Sequence, residues 1–184
     1  MKNHIALASL FIMIFCSCST KTDPFIISNS NIGLLNDSTK VLELKTIYAN
    51  DSIVKFDPTN PTVNPTADIN ILNKNGDELL VLTPKRVLDS TSTIGSVKIS
   101  DPNFKTTEGI GTSSNFKSLA DTYEIKKINN LLRSVVVSVK GLNADFIIDK
   151  KDLPAELRFD MSLNIEASQI PDDAKIKYIM LYWL

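Results

Sequence analysis

The side chains that carry most enzyme chemistry are crowded into the first eighteen residues of this chain. Its one histidine is His4 and its two cysteines are Cys16 and Cys18, so neither type occurs from Ser19 to Leu184. A folded segment without them cannot assemble a Ser-His-Asp or Cys-His nucleophile, nor the usual ligand sets of zinc. What remains is chemistry by carboxylates, lysine, tyrosine or serine. The paired carboxylates of a glycosidase have their nearest candidates in Asp145, Asp149, Glu156 and Asp160. Asp172-Asp173, behind Pro171 and ahead of an apolar alternation, reads as a solvated turn. Asn73, Asn75 and Gly76 are arranged as in a calcium loop, but Ile71 stands where the first ligand belongs and Leu82 where the closing glutamate belongs. Gly109-Ile110-Gly111 lacks the third glycine of a phosphate loop and follows the polar run Lys105 to Glu108, which predicts a tight turn before a helix. No catalytic, cofactor-binding or metal-ligating residue is assigned.

The N-terminal residues have a different logic. Lys2 precedes an apolar run from Ile5 to Phe15, about eleven residues, which ends in Cys16-Ser17-Cys18. That is the layout of a secretory signal, and the run is too short for a membrane-spanning helix of about twenty residues. Phe15-Cys16-Ser17-Cys18 resembles the lipobox of bacterial lipoproteins, in which a small residue precedes the cysteine that is acylated. The bulky Phe15 and the Cys16 depart from the commonest lipobox and are similar to Bacteroidetes-type lipoproteins. The resemblance implies a signal peptide over 1–17, cleavage before Cys18, and palmitate-like acyl chains on Cys18. Several chains together anchor a protein lastingly, whereas a single one binds marginally. The alternative is cleavage by general signal peptidase, which releases an unlipidated domain. Ser19-Thr20-Lys21-Thr22-Asp23 lacks the acidic cluster similar to a Bacteroidetes surface-export signal, so the periplasmic face of the outer membrane is the expected location.

Removal of Lys2 with the signal leaves 19 basic against 21 acidic side chains. The signs are interspersed, so the basic stripe that nucleic acid requires is missing. The expected partners are the membrane, through the lipid on Cys18, and an envelope protein.

The rest divides into a tether over 18–31 and a globular region over 32–184. Val41, Leu44 and Tyr48, behind Ser38-Thr39, have helical spacing. Asp57 to Thr66 holds three prolines and reads as a loop. Asp68 to Leu72 and Leu79 to Leu82 predict a hairpin turned at Asn75-Gly76. Thr93 to Ile99 is a further strand. Ser113-Ser114 precedes a helix carrying Phe116, Leu119 and Tyr123, and Ser134 to Val139 pairs with Ala144 to Ile148 through Lys140-Gly141-Leu142-Asn143. Both helical triplets follow an Ile-Gly pair, Ile32-Gly33 and Ile110-Gly111, and they correspond at a shift of 75 residues. The fold class is therefore strand-rich α+β. Two tandem modules over about 32–84 and 94–153, with a C-terminal strand region over 154–184, account for the correspondence, and chance is the alternative. In the last stretch Ile176, Tyr178, Met180 and Tyr182 stand on one face and Ile179, Leu181 and Trp183 on the other. That predicts a strand buried on both sides, with an aromatic partner surface of Tyr178, Tyr182 and Trp183 as the functional alternative.

The strand from Ile99, the turn Thr106-Thr107-Glu108-Gly109-Ile110-Gly111, the helix after Ser114 and Tyr123 at its end resemble a module of small secreted and lipid-anchored bacterial proteins. The whole chain, with Ile32-Gly33-Leu34-Leu35 and Asp149-Lys150-Lys151-Asp152-Leu153-Pro154, is similar to Bacteroidetes lipoproteins. Neither resemblance implies a catalytic residue. The function expected is a non-enzymatic binding or scaffold domain anchored in the cell envelope. The alternative is a carboxylate-based hydrolase of envelope polysaccharide, which requires two of the four carboxylates to face each other across a cleft.

Overall fold

A computed structural model of the chain describes residues 23–55 and 66–183. The signal over 1–17, Cys18 and most of the proline-rich loop lie outside the described residues. Strand patterning dominates the described region. Three short strands, β1 (Ile26–Ile27), β2 (Asn31–Ile32) and β3 (Leu35–Asn36), lead into a 3-10 turn at Val41–Glu43 and a single helical turn, α1 (Leu44–Ile47). Then come β4 (Ser52–Val54), β5 (Ile69–Leu72), β6 (Glu78–Pro84), β7 (Ile94–Ile99) and β8 (Lys105–Thr106). After α2 (Phe116–Thr122), the chain ends in β9 (Ile125–Asn130), β10 (Ser134–Val139), β11 (Ala144–Asp149) and β12 (Ile176–Tyr182). This is the strand-rich α+β class that the alternation predicts.

Eight strands form one sheet in the order β4-β5-β6-β7-β12-β11-β10-β9, and four short ones form a second in the order β3-β2-β1-β8. All neighbours in the large sheet are antiparallel. It has two like halves, each a short helix followed by a four-stranded meander, joined where β7 pairs with β12. The two helices do not pack on separate sheets; the halves share one. The physical reason is edge pairing: β7 and β12 would each expose a row of backbone donors and acceptors, and they satisfy one another. The C-terminal strand, set apart by the sequence pattern as a region over 154–184, is thus the fourth strand of the second half, and Thr93 to Ile99 closes the first half.

One apolar row crosses the large sheet without a break. It runs Ile53-Ile71-Leu80-Ile99 in the first half and Ile179-Phe146-Val137-Ile128 in the second. Ile53 and Ile128 are 75 residues apart, the shift that relates the helices, while Leu80 and Phe146 are 66 apart because the β9-β10 turn is shorter than the loop between β4 and β5. This face is the core side. Leu44 of α1, Leu119 of α2, Ile27, Ile32 and Leu35 of the small sheet, and Leu153 and Leu157 from the connection to β12 close over it. Burial of this much aliphatic surface, at about 25 cal/mol per Å², is the main source of stability.

The tether is shorter than the 18–31 that polar composition suggests. Ile27 is fully buried, and β1 pairs with both β2 and β8, so residues 24–31 already belong to the fold. The first helix is also shorter than its spacing predicts, because Val41 N–H and Leu42 N–H donate to Ser92 and Ser90 carbonyls. That pulls its start out of α geometry. α2 is capped by Asn115, whose side chain accepts from Ser118 N–H at 2.9 Å, in place of the Ser113-Ser114 pair. The repeated Ile-Gly pairs have a steric cause: a Cβ on Gly33 would lie 2.2 Å from Pro24 O, and one on Gly111 2.5 Å from Phe104 O. Each glycine lets the chain press against the backbone just before a strand of the small sheet, Pro24 ahead of β1 and Phe104 ahead of β8.

Candidate functional site

The two faces of the large sheet differ in kind. On the side opposite the core, the row through all eight strands reads Val54-Asn70-Val81-Lys98-Met180-Asp145-Ser138-Lys127. Apolar, charged and hydroxyl side chains mix there. They are half-buried or exposed, against complete burial for the inner members of the opposite row. The central strand β12 shows the contrast best. Ile176, Ile179 and Leu181 are buried, whereas Tyr178, Met180 and Tyr182 are half-buried. The expectation of a strand buried on both faces is therefore corrected: Tyr178, Met180 and Tyr182 reach the open face, while Ile176, expected on their side, is buried in the core, because the register of β11 on β12 shifts between Ile147 and Ile148. Trp183 follows the core expectation and not the partner-surface alternative. It is buried, and its indole N–H donates to Asn29 O at 3.0 Å, which pins the C-terminus to the β1-β2 turn.

Tyr178, Met180 and Tyr182 form a ridge along the middle of the open face. On one flank the Lys98 ammonium lies 5.5 Å from the Tyr178 ring centroid and 2.8 Å from Glu78 Oε1, which also accepts from Ser100 Oγ at 3.1 Å. On the other flank Asp145 accepts from Ser138 Oγ. Partial burial of Tyr182, with the Asp145 carboxylate beside it, pushes its phenol up to about 12. An amphipathic ridge of two tyrosines and a methionine, flanked by a cation and an anion, is suited to contact with a protein surface. The sequence pattern singles out the tyrosines, but not Lys98, Glu78, Asp145 and Ser138 as their neighbours. Those come from other strands, and only the pairing register brings them together.

The four carboxylates of the hydrolase reading do not converge. Asp145 and Asp149 stand four residues apart on β11, about 13 Å at the strand rise. Asp149 is paired with Lys177 at 2.9 Å, and that hydrogen bond holds its carboxyl below the usual range. Asp160 accepts from Ser162 N–H and Oγ within its own exposed turn and is also lowered. Glu156 is exposed on a 3-10 turn. A glycosidase acid needs the opposite shift, upward through burial.

The remaining motifs are structural. Asn73 Oδ1 accepts from Asn75 N–H and Asp77 N–H, which shapes the β5-β6 turn with Gly76 at φ +87°. Asp172-Asp173 is a turn. Gly109, at φ +86°, turns the chain after β8, a two-residue strand where the sequence suggests none. Tyr123 donates from its hydroxyl to Glu108, and its ring centroid lies 6.1 Å from that of Phe146. It thereby ties the Thr-x-x-Gly-Ile-Gly turn to the helix end. Its phenol is pushed up to about 12, by burial first and by Glu108 second. Among the described residues no group of His, Cys, Asp or Glu is placed to hold a metal ion, and no described helix is long and apolar enough to cross a membrane.

No protein-family profile and no curated protein matches the sequence. The fold has a solved counterpart. The crystal structure of the uncharacterized protein yfeY from Escherichia coli is similar at a TM-score of 0.55 and 16% sequence identity, over 85% of this chain and 98% of that one. The likeness extends over nearly the whole of that protein and concerns the fold.

Proposed function

We propose that this protein is a lipid-anchored domain of the bacterial cell envelope that binds a protein partner through the open face of its large sheet and catalyses no reaction. The observation that carries the binding reading is the Tyr178-Met180-Tyr182 ridge. A sheet of eight strands has one face closed by helices, small sheet and loops, while on the other these three side chains stay half-buried beside Lys98 and Asp145. Tyrosine and methionine are enriched at the centres of protein interfaces, where water is excluded around them. The anchor reading is supported by the sequence layout up to Cys18, and it locates the domain at the periplasmic face of the outer membrane.

Each part has its own test. A photo-reactive phenylalanine analogue in place of Tyr178 or Tyr182, introduced in the native host, should give a discrete cross-linked product that the same group in place of Leu42, exposed elsewhere on the domain, does not give. Equal products from all three positions, or none, would overturn the binding reading. Intact mass and membrane fractionation beside a Cys18→Ala variant test the anchor. A chain that starts at Cys18 and carries a lipid-sized mass, with the variant soluble or unprocessed, is the result expected. Identical, unlipidated and soluble products would remove it.

A further inference from the structure

A second apolar surface, distinct from the ridge, lies at one end of the large sheet. Leu131 and Leu132 form the β9-β10 turn and are 49% and 66% exposed; Phe159, Met161 and Leu163 follow the 3-10 turn at Ala155–Leu157 and are 87%, 55% and 37% exposed. The two loops are fastened to each other. Asn130 Nδ2 donates to Asp160 O at 3.0 Å and to Leu163 O at 2.9 Å. Asp160 braces the tip through Ser162, and Arg158 Nε donates to Leu153 O at 2.7 Å. Loops held this firmly could have folded their side chains inward, yet between them they present five large apolar ones to solvent. Large apolar side chains gathered on two fastened loops mark a surface with a partner.

The position of the N-terminus says what the partner is. Neighbouring strands alternate in direction, so the C-terminal ends of β5, β7, β9 and β11 share one end of the sheet. Leu131 follows β9 and Lys150 follows β11, while Pro24 and Phe25 line a cavity with Asn73, which follows β5, and Asp101, which follows β7. The chain therefore enters the fold at the end of the sheet that carries the apolar loops. Cys18 lies five residues before Asp23, a reach of at most about 18 Å. We infer that Leu131, Leu132, Phe159, Met161 and Leu163 seat in the lipid bilayer surface to which Cys18 tethers the domain, an inference that rests on the anchor reading above. The contact is apolar in character. Around these loops Arg133, Lys151 and Arg158 are balanced by Asp152, Glu156 and Asp160, and the Lys150 ammonium is buried away from the surface. Seating should accordingly be insensitive to the fraction of anionic lipid.

The test uses the full chain, lipidated and reconstituted into phosphatidylcholine vesicles, with an environment-sensitive fluorophore on Phe159→Cys or, at the opposite end of the sheet, on Lys140→Cys. The Phe159 label should shift to the blue and be quenched severalfold more by nitroxide-bearing lipids than the Lys140 label. A Phe159→Ser, Met161→Ser double variant should abolish apolar seating at unchanged melting temperature, read as loss of that quenching from a label on Leu132→Cys. Equal, weak quenching at both ends on a chain whose mass shows the lipid would overturn the inference and leave the anchor standing. Shielding of the Phe159 label from aqueous iodide without quenching by the lipids would assign the loops to a protein, a second copy included, and would also overturn it. A chain without lipid on Cys18 that does not float with vesicles removes the anchor reading and this inference together.

Discussion

Ile179 and Met180 are neighbours on β12, share the same pair of flanking strands, and differ in the face they take. Ile179 is fully buried between Ile99 and Phe146, whereas Met180 is half-buried between Lys98 and Asp145. Truncation of a buried isoleucine to alanine removes its transfer free energy and leaves a cavity, together about 2 to 5 kcal/mol. The centre of a sheet that is closed on that side can collapse little, so Ile179→Ala should cost about 4 kcal/mol. Met180→Ala removes a similar volume from a face already in contact with water and should cost about 1 kcal/mol. With a urea dependence of roughly 2 kcal/mol per molar, the unfolding midpoint should fall by about 2 M for Ile179→Ala and by about 0.5 M for Met180→Ala, at unchanged slope. Equal losses at the two positions would mean that the face carrying Met180 is enclosed, and the reasoning about an open binding face would be refuted.

Three further outcomes rest on individual contacts. Gly111→Ala drives a methyl group to 2.5 Å from Phe104 O and should lower stability by about 1 to 3 kcal/mol, measurable by thermal denaturation; an unchanged melting temperature would dissociate the second Ile-Gly pair from its steric cause. Asp149 has its carboxyl lowered by Lys177, so the stabilisation from this pair is present above the ordinary aspartate value of 3.8 and is lost as pH falls through the lowered one. Because the pair is partly exposed, its worth is below about 1 kcal/mol, and Asp149→Asn should shift melting at pH 6 and progressively less as the pH falls below 3.8; a shift that does not decline with pH would exclude the ion pair as the cause. Tyr182 ionises at about 12 with burial as the main cause and Asp145 as the second. Asp145→Asn should therefore lower its ultraviolet titration midpoint only part of the way towards 10, and a full return to 10 would show the carboxylate to be the main cause.

Elements whose apolar positions are local in the chain are legible in the sequence itself. The β5-β6 hairpin announces itself through Asn75-Gly76, where a positive φ closes the turn, and α2 through Phe116, Leu119 and Tyr123. β12 is legible as a strand, yet its periodicity overstates its burial. Tyr178 and Tyr182 count as apolar in a periodicity, but their hydroxyls make them tolerate a half-wet face that isoleucine would not. β9 leaves no such mark because Lys126, Lys127, Asn129 and Asn130 give a polar run. An edge strand needs only Ile125 and Ile128 on the inner side, and its lysines suit an unpaired edge. β1 is hidden within a polar stretch for a related reason: two residues, Ile26-Ile27, are too few to establish a period.

The internal correspondence shows why the site is harder to read than the fold. The shift of 75 residues holds from the helices to Ile53 and Ile128, then changes with each loop length, so the inner row is preserved as eight apolar residues although its members stand at unequal spacings in the chain. Burial enforces that row, because a polar residue within it would be desolvated without a partner. The outer row is under no such constraint and has diverged into Val81, Lys98, Met180, Asp145 and Ser138. The two halves of the sheet therefore agree on the side that packs and differ on the side that meets solvent. The open face departs from the likeness of the two halves, and the Tyr178-Met180-Tyr182 ridge belongs to one half alone, where the equivalent strand β7 carries Ser96 and Lys98, with Ser100 just beyond it. A partner seated on that ridge, as proposed, would meet an asymmetric surface, aromatic along β12 and polar along β7, and would be held in a single orientation despite the two like halves.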